Sequence, residues 1–165
     1  MRVPIRKGDK YLKQKPDAHI TLEKKTELEK NLARLKAIHP KVSKEVKQLA
    51  TDGDFSENAA YQIAKGKIRG INQAILEIED QLNNAIIIES QKNKEKVQIG
   101  HKVTISTNGQ EKTYLILGSS ESNPSLGVIS YTSPLGAALM GARVGSSVSI
   151  SLAKKEVIYK VLKIE

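Results

Sequence analysis

The sequence has no cysteine, no tryptophan and only one phenylalanine among its 165 residues. Without cysteine the chain can form no disulfide, thiolate metal site or catalytic thiol. The aromatic content of 4% suits thin helical pairs better than a large aromatic-lined pocket. No apolar run approaches the roughly 18 residues of a membrane span, and the basic start MRVPIRKGDKYLKQKPD lacks the apolar core of a secretory signal. We therefore expect a cytoplasmic protein with no membrane partner.

Recognisable catalytic motifs are also missing. The three histidines, His19, His39 and His101, have no metal-ligand spacing, and His39 beside Pro40 suggests a structural role. The sequence contains no Gly-rich phosphate loop, no GxSxG and no HExxH. We expect no enzyme in its own right and no cofactor bound by the chain alone. Acids are densest in residues 52–61, DGDFSENAAY.

Two hydrophobic seams flank this acidic stretch. The upstream seam alternates steps of four and three through Leu28, Leu32, Leu35, His39, Val42, Val46 and Leu49. The downstream seam continues the pattern through Tyr61, Ala64, Ile68, Ile71, Ile75, Ile78, Leu82 and Ala85. Such spacing, sustained over about three heptads, is typical of coiled-coil helices. Because the first seam resumes in phase after Pro40, we expect the proline to kink that helix rather than end it.

The two seams match as mirror images. If the chain folds back at the acidic stretch, Leu49 faces Tyr61 and Leu28 faces Leu82, so one antiparallel register satisfies both pairs. The prediction is a hairpin about 45 Å long, at about 1.5 Å per residue. Gly66 and Gly70 lie four residues apart in its second helix. These glycines either allow a close approach of backbones or are a weakness that the helix tolerates on an exposed face.

The formal net charge of +9 indicates a polyanionic partner. Residues 1–17 hold six basic and two acidic residues and are predicted to be a flexible basic arm. In the hairpin, residues 34–50 and 65–69 are mainly basic, whereas residues 71–90 carry only acids. A solvated helical face is the ordinary explanation of a charge run. Direct nucleic-acid binding that weakens steeply with salt is another.

The sequence after the polar linker at residues 89–99 has strand character. HKVTIST and QEKTYLIL flank Asn108-Gly109, a type I′ hairpin signal. Ser133 and Pro134 predict the N-cap and first position of a short helix, and VSISLA and EVIYKVLKI form a second hairpin around Lys154-Lys155. The fold class is α+β. The predicted domains are the arm at 1–17, an antiparallel coiled-coil hairpin at 18–90, and a small antiparallel sheet with one helix at 91–165.

Asp54 and Glu57 are the candidate chemical groups. They are three residues apart and share a face of any helix that begins there. An Asp-x-x-Glu pair is also a capping-box pattern, and this structural explanation stays open. Two carboxylates alone make a weak Mg²⁺ site, since Mg²⁺ keeps waters and prefers ligands shared with a phosphate-bearing partner. Any metal chemistry at this pair would therefore take place inside a partner's active site.

Two strings resemble a known family. GDFSENAAYQIAKGKIRGINQAILEIEDQLNNAIII is similar to the tip and second helix of the bacterial Gre transcript-cleavage factors, the GreA/GreB family. LGVISYTSPLGAALMGARVGSSVSI resembles that family's C-terminal domain, which has an FKBP-like fold. The resemblance covers residues 18–165 and leaves the first seventeen outside.

The resemblance implies a protein that binds RNA polymerase and enters its secondary channel. We expect a monomer. The docking motif falls on Thr132, Ser133 and Pro134, where some members have an acid in place of Thr132. The tip acids Asp54 and Glu57 would share an Mg²⁺ with the polymerase active centre, so that polymerase cleaves its own backtracked RNA. The basic face that would guide the RNA 3′ segment contains Lys44, Lys47, Lys65, Lys67 and Arg69.

Two other functions remain open. A channel binder could modulate transcription without stimulating cleavage, although relatives of that kind alter the tip and this chain keeps both acids. A prolyl isomerase is suggested by the FKBP-like fold alone, and fold does not carry function. Such a site needs an aromatic-lined apolar pocket, for which the C-terminal region offers only Tyr114, Tyr131 and Tyr159.

Overall fold

The computed structural model describes residues 17–51, 59–89, 93–152 and 155–165. The described residues form two compact units. One spans residues 21–86, and the other combines the residues up to 20 with those from 87 onward. In the described parts of the chain, no helix is long and apolar enough to cross a membrane.

The first unit contains the two predicted long helices, α1 (Leu22–Thr51) and α2 (Ala59–Asn83). Thr21 caps α1, because its Oγ1 accepts the Lys24 N–H at 3.1 Å. Pro40 lies inside α1 and does not end it. The first helix therefore continues through the proline, as the sequence predicts.

Burial along α1 and α2 follows the predicted seams. Every seam residue is buried or half-buried, with Leu28, Val42, Ala64 and Ile71 the most deeply buried. Apolar residues off the seams, such as Ile63 and Leu76, are 72% and 61% exposed. A salt bridge of 2.7 Å joins Lys36 of α1 to Glu79 of α2. The helical hairpin is thus confirmed, with its core on one stripe of each helix.

The second unit is built on a five-stranded sheet in the order β5-β4-β3-β7-β6. Its strands are β3 (Lys102–Thr107), β4 (Gln110–Leu117), β5 (Val128–Ser130), β6 (Ser147–Leu152) and β7 (Lys155–Ile164). The short helix α3 (Pro134–Leu139) follows β5, and 3-10 turns occupy Ser119–Glu121 and Pro124–Leu126. Two strands of two residues each flank the helices in the chain: β1 (His19–Ile20) precedes α1, and β2 (Ile86–Ile87) follows α2.

Both predicted hairpins are present in the sheet. Asn108 and Gly109 have φ angles of 50° and 77°, the left-handed conformation that a type I′ turn requires at both central positions. The second turn differs from the prediction by one residue. Lys155 already belongs to β7 and pairs with Leu152, and residues 153–154 lie outside the described chain.

The prediction of an antiparallel sheet is wrong for one pair of strands. β5 lies parallel to β4, with Ile116 opposite Ile129. The connection at 118–127 contains two 3-10 turns and an Asn123–Val128 bridge. Because parallel neighbours need a crossover longer than a tight turn, this connection lets β5 run in the same direction as β4. The sheet is therefore mixed.

The core of the second unit lies between the sheet and α3. Leu139 of α3 is fully buried. It belongs to a cluster of buried residues formed by Val97, Val103, Ile105, Ile116, Ile129, Leu139, Val161 and Ile164. Alternate residues of β3 contribute to this cluster, as expected for a sheet with one covered face. The packing fixes the position of the turn that joins β5 to α3.

Candidate interaction site

The tip acids cannot be placed by the structure. Asp54 and Glu57 fall in residues 52–58, outside the described chain, between the end of α1 at Thr51 and the start of α2 at Ala59. Their sequence position at the junction of two paired helices is nevertheless clear. Their chemical role remains a prediction, and so does the capping-box alternative.

The five predicted RNA-facing cations are all exposed on the two helices. Lys44 and Lys47 belong to α1, whereas Lys65, Lys67 and Arg69 belong to α2. Lys65 lies over the Tyr61 ring, with its Nζ 5.6 Å from the ring centroid. Within the described part of the chain, none of the five pairs with a carboxylate. Their positive charges therefore lie on the exposed surface of the two helices.

A cavity of about 610 Å³ lies where α1 ends and α2 begins. Its lining combines apolar Leu49, Ile63 and Ala64 with charged Glu45 and Lys67. Residues from the end of α1 and the start of α2 therefore line the same cavity.

The predicted docking motif forms the turn between β5 and α3, at residues 130–134, which we call the docking turn. Ser133 caps α3, since its Oγ accepts the Gly136 N–H at 3.0 Å and donates to the Ser130 carbonyl at 2.6 Å. Gly136 is buried there, and a Cβ at this position would overlap the Ser130 carbonyl oxygen. The Ser133 N-cap and Pro134 at the start of the helix are confirmed.

Thr132 contributes a neutral hydroxyl to the docking turn. Its Oγ1 shares a 2.7 Å hydrogen bond with Ser130 Oγ, and its N–H donates to the same oxygen at 3.1 Å. Thr132 and Pro134 are exposed, whereas Ser133 is half-buried. The turn thus presents Thr132 and Pro134 outward on a backbone that internal hydrogen bonds hold in place.

A polar cluster beside this turn was missed by the sequence analysis. The Asp17 carboxylate, whose side chain is only 7% exposed, accepts hydrogen bonds from the N–H of Ser119 at 2.8 Å and the hydroxyl of Tyr131 at 3.1 Å. It also accepts the N–H of His19 and lies 3.1 Å from that ring's Nδ1. Assigning Asp17 to the flexible arm is therefore wrong, because its buried carboxylate is held by donors more than a hundred residues away.

The environment of the cluster shifts two pKa values. Burial alone would raise the pKa of Asp17, but hydrogen bonds from Ser119, His19 and Tyr131 favour the carboxylate and bring its pKa below the usual value. Burial, followed by the hydrogen bond to Asp17, raises the pKa of Tyr131. At neutral pH the pair is therefore a carboxylate acceptor and a neutral phenol donor.

The other histidines serve no recognised site. His101 is 1% exposed, and its Nδ1 accepts the Gln98 N–H at 3.2 Å. His39 is half-buried on the α1 seam. Among the described residues, no group of three or more potential ligands lies close enough to hold a metal ion.

A long helical hairpin followed by a mixed sheet with an exposed capped turn defines a two-unit α+β protein. Residues 18–87 match the family described as transcription elongation factor, N-terminal. Residues 91–165 match transcription elongation factor, GreA/GreB, C-term. The chain belongs to the GreA/GreB family of transcription elongation factors.

Two GreA proteins agree with this assignment, and one solved structure is reported beside them. The chain is 38% identical to transcription elongation factor GreA of Macrococcus caseolyticus over 149 residues, covering 88% of this chain and 94% of that protein. It is 36% identical to GreA of Geobacillus kaustophilus over 150 residues, covering 88% and 95%. The crystal structure of GreA factor homolog 1 of Thermus thermophilus is 25% identical, with a TM-score of 0.42, and covers 90% of this chain and 99% of that chain.

Proposed function

We propose that this protein binds RNA polymerase, inserts its hairpin tip through the secondary channel and stimulates Mg²⁺-dependent cleavage of backtracked RNA 3′ ends. The observation that carries the proposal is the string GDFSENAAY at the junction of two paired helices, in a chain of the GreA/GreB family. Rescue of arrested elongation complexes follows, because cleavage creates a new RNA 3′ end at the active centre.

The hairpin has the reach that this role needs. The thirty residues of α1 span about 45 Å at about 1.5 Å per residue. The apolar seam pairs the helices along their length, and a paired helical rod resists bending better than an extended loop of the same length. Delivery of the tip into a narrow channel is thus mechanically reasonable.

The chemistry assigned to the tip is that of two carboxylates. Asp54 and Glu57 supply oxygen donors, which Mg²⁺ prefers. When bound, Mg²⁺ lowers the pKa of a coordinated water and stabilises charge on the phosphate. The two acids would raise the occupancy of a loosely held ion that belongs to the polymerase. The protein supplies ligands to that site and performs no cleavage alone.

The remaining proposed contacts divide between the two units. In the second unit, Thr132, Ser133 and Pro134 would dock at the rim of the channel through the exposed docking turn. In the first, the exposed cations would attract the phosphates of the extruded RNA, an attraction that weakens as salt increases. These cations are Lys44, Lys47, Lys65, Lys67 and Arg69.

A transcript-cleavage assay tests the proposal. Backtracked elongation complexes with Mg²⁺ should release short RNA 3′ fragments faster in the presence of this protein. The variant Asp54→Asn with Glu57→Gln should bind polymerase normally, but its stimulation of cleavage should be at least tenfold weaker. A tenfold change in rate corresponds to about 1.4 kcal/mol of transition-state stabilisation.

A matched control keeps the charge change and moves it away from the tip. Glu27→Gln with Glu29→Gln removes two exposed acids near the start of α1 and should leave stimulation unchanged. Full stimulation by the tip variant would contradict the catalytic role of the acids. Binding without stimulation by the unaltered protein would instead indicate a channel binder that only modulates transcription.

A further inference from the structure

We infer that Asp17 is a positioning residue for polymerase docking. Asp17 holds the docking turn in place through its hydrogen bond with Tyr131. The inference rests on the proposed function, because it concerns the surface by which the protein would bind polymerase. Asp17 touches no part of the exposed motif itself. Its effect passes through the hydrogen bond from the Tyr131 hydroxyl at 3.1 Å.

The Asp17 carboxylate is built into the second unit. Its Oδ1 accepts the Tyr131 hydroxyl and the His19 N–H, and its Oδ2 accepts the Ser119 N–H at 2.8 Å. Hydrogen bonds to an ionised, largely buried acceptor are stronger than those between neutral groups. One side chain therefore ties the segment before β1 to both ends of the region between β4 and α3.

Tyr131 connects this carboxylate to the docking motif. Its N–H donates to the Leu117 carbonyl at 2.9 Å, which fixes its backbone against β4. The next residues are Thr132 and Ser133, whose N–H groups donate to Ser130. With its backbone and hydroxyl both held, Tyr131 anchors the docking turn on one side, while α3 anchors it on the other.

Two further contacts, both made by His19, hold β1 in place. The His19 ring meets the Tyr131 ring edge to face, with centroids 5.4 Å apart. A Cβ at Gly118 would overlap the His19 carbonyl oxygen. The variant Gly118→Ala should therefore displace this segment without removing any of the polar side chains. It is an independent way to weaken the same contact.

The variants Asp17→Asn and Tyr131→Phe test the inference. An asparagine amide cannot accept from both Ser119 and Tyr131, and phenylalanine deletes only the hydroxyl while keeping the aromatic contact. The concentration of protein that gives half-maximal transcript cleavage should rise about 5- to 30-fold in each variant. This rise corresponds to a loss of about 1–2 kcal/mol of binding free energy. The cleavage rate at saturating protein should stay unchanged, because the tip is untouched.

The double variant and a matched control separate positioning from general destabilisation. Asp17→Ala with Tyr131→Phe should be no weaker than Asp17→Ala alone, because Asp17→Ala already removes the hydrogen bond that Tyr131→Phe deletes. Ser146→Ala deletes the hydrogen bonds of Ser146 Oγ with Arg143 in another turn of the same unit. It should leave the half-maximal concentration at the unaltered value. An equal rise in the control would overturn the inference.

Amide hydrogen exchange provides a readout that does not depend on polymerase. The N–H groups of Thr132 and Ser133 should exchange faster in Asp17→Asn and Gly118→Ala than in the unaltered protein. Unchanged exchange, or faster exchange with an unchanged half-maximal concentration, would overturn the inference. If the unaltered protein failed to stimulate cleavage, the proposed function would fail, and exchange would still show whether Asp17 holds the turn.

Discussion

Replacing Gly66 and Gly70 by alanine should stabilise the helical hairpin. Both glycines lie in the interior of α2, both are exposed, and a Cβ at either position would meet nothing within 4 Å. Their spacing therefore does not serve close packing within the described chain. Each glycine costs about 0.8–1.0 kcal/mol relative to alanine, because it leaves more backbone entropy to lose on folding. The double substitution should raise the free energy of unfolding of the hairpin by about 2 kcal/mol.

Thermal unfolding followed by circular dichroism at 222 nm measures this gain on the full chain. For a domain of this size, about 2 kcal/mol corresponds to a rise of about 8–16 °C in the midpoint of the hairpin transition. Gly109→Ala is the matched control. Its φ of 77° is strained for alanine, so this variant should lose stability in the sheet unit instead.

A midpoint that is unchanged or lowered would refute the reasoning, because it would mean that α2 is not an exposed regular helix at these positions. The cleavage assay adds a second outcome. A stabilised variant that still stimulates cleavage would mean that the glycines are a tolerated weakness. A stabilised variant that has lost stimulation would mean that a partner's backbone approaches this face.

Two further predictions concern the second unit. Because hydrogen bonds lower the pKa of folded Asp17 below its ordinary value of 3.8, the contribution of Asp17 to stability should be complete above that pH and lost as the pH falls through the folded pKa. When the free energy of unfolding is measured as the pH is lowered, Asp17→Asn should lose less stability than the unaltered protein. This variant retains His19 and Tyr131, so the difference reports on the carboxylate of Asp17. An identical loss in the two proteins would contradict the prediction. Leu139→Ala, at a fully buried position, should cost about 2–5 kcal/mol in urea unfolding. Leu126→Ala, at a position 77% exposed, should change stability by less than about 0.5 kcal/mol.

Features encoded within short stretches of sequence were predicted well. The seams of α1 and α2 follow from a repeat of three and four residues, and the Asn108-Gly109 turn follows from the backbone preferences of two residues. The Ser133 cap depends on atoms three residues apart. In each case the interacting groups are close in the chain, so the residue pattern alone specifies the geometry. The family resemblance rested on these stretches and on the tip motif.

Only the tertiary structure decided the contacts between distant residues. The parallel pairing of β5 with β4 depends on the path of a ten-residue connection, which no local pattern specifies. The Asp17 contacts with Ser119 and Tyr131 cross 102 and 114 residues of chain. In sequence, Asp17 is one acid at the end of a basic arm; in the fold it is a buried acceptor beside the docking turn. The sequence determined which helices, turns and caps form, because their energies are local. The fold determined what lies beside the candidate site, because that follows from how the whole chain packs.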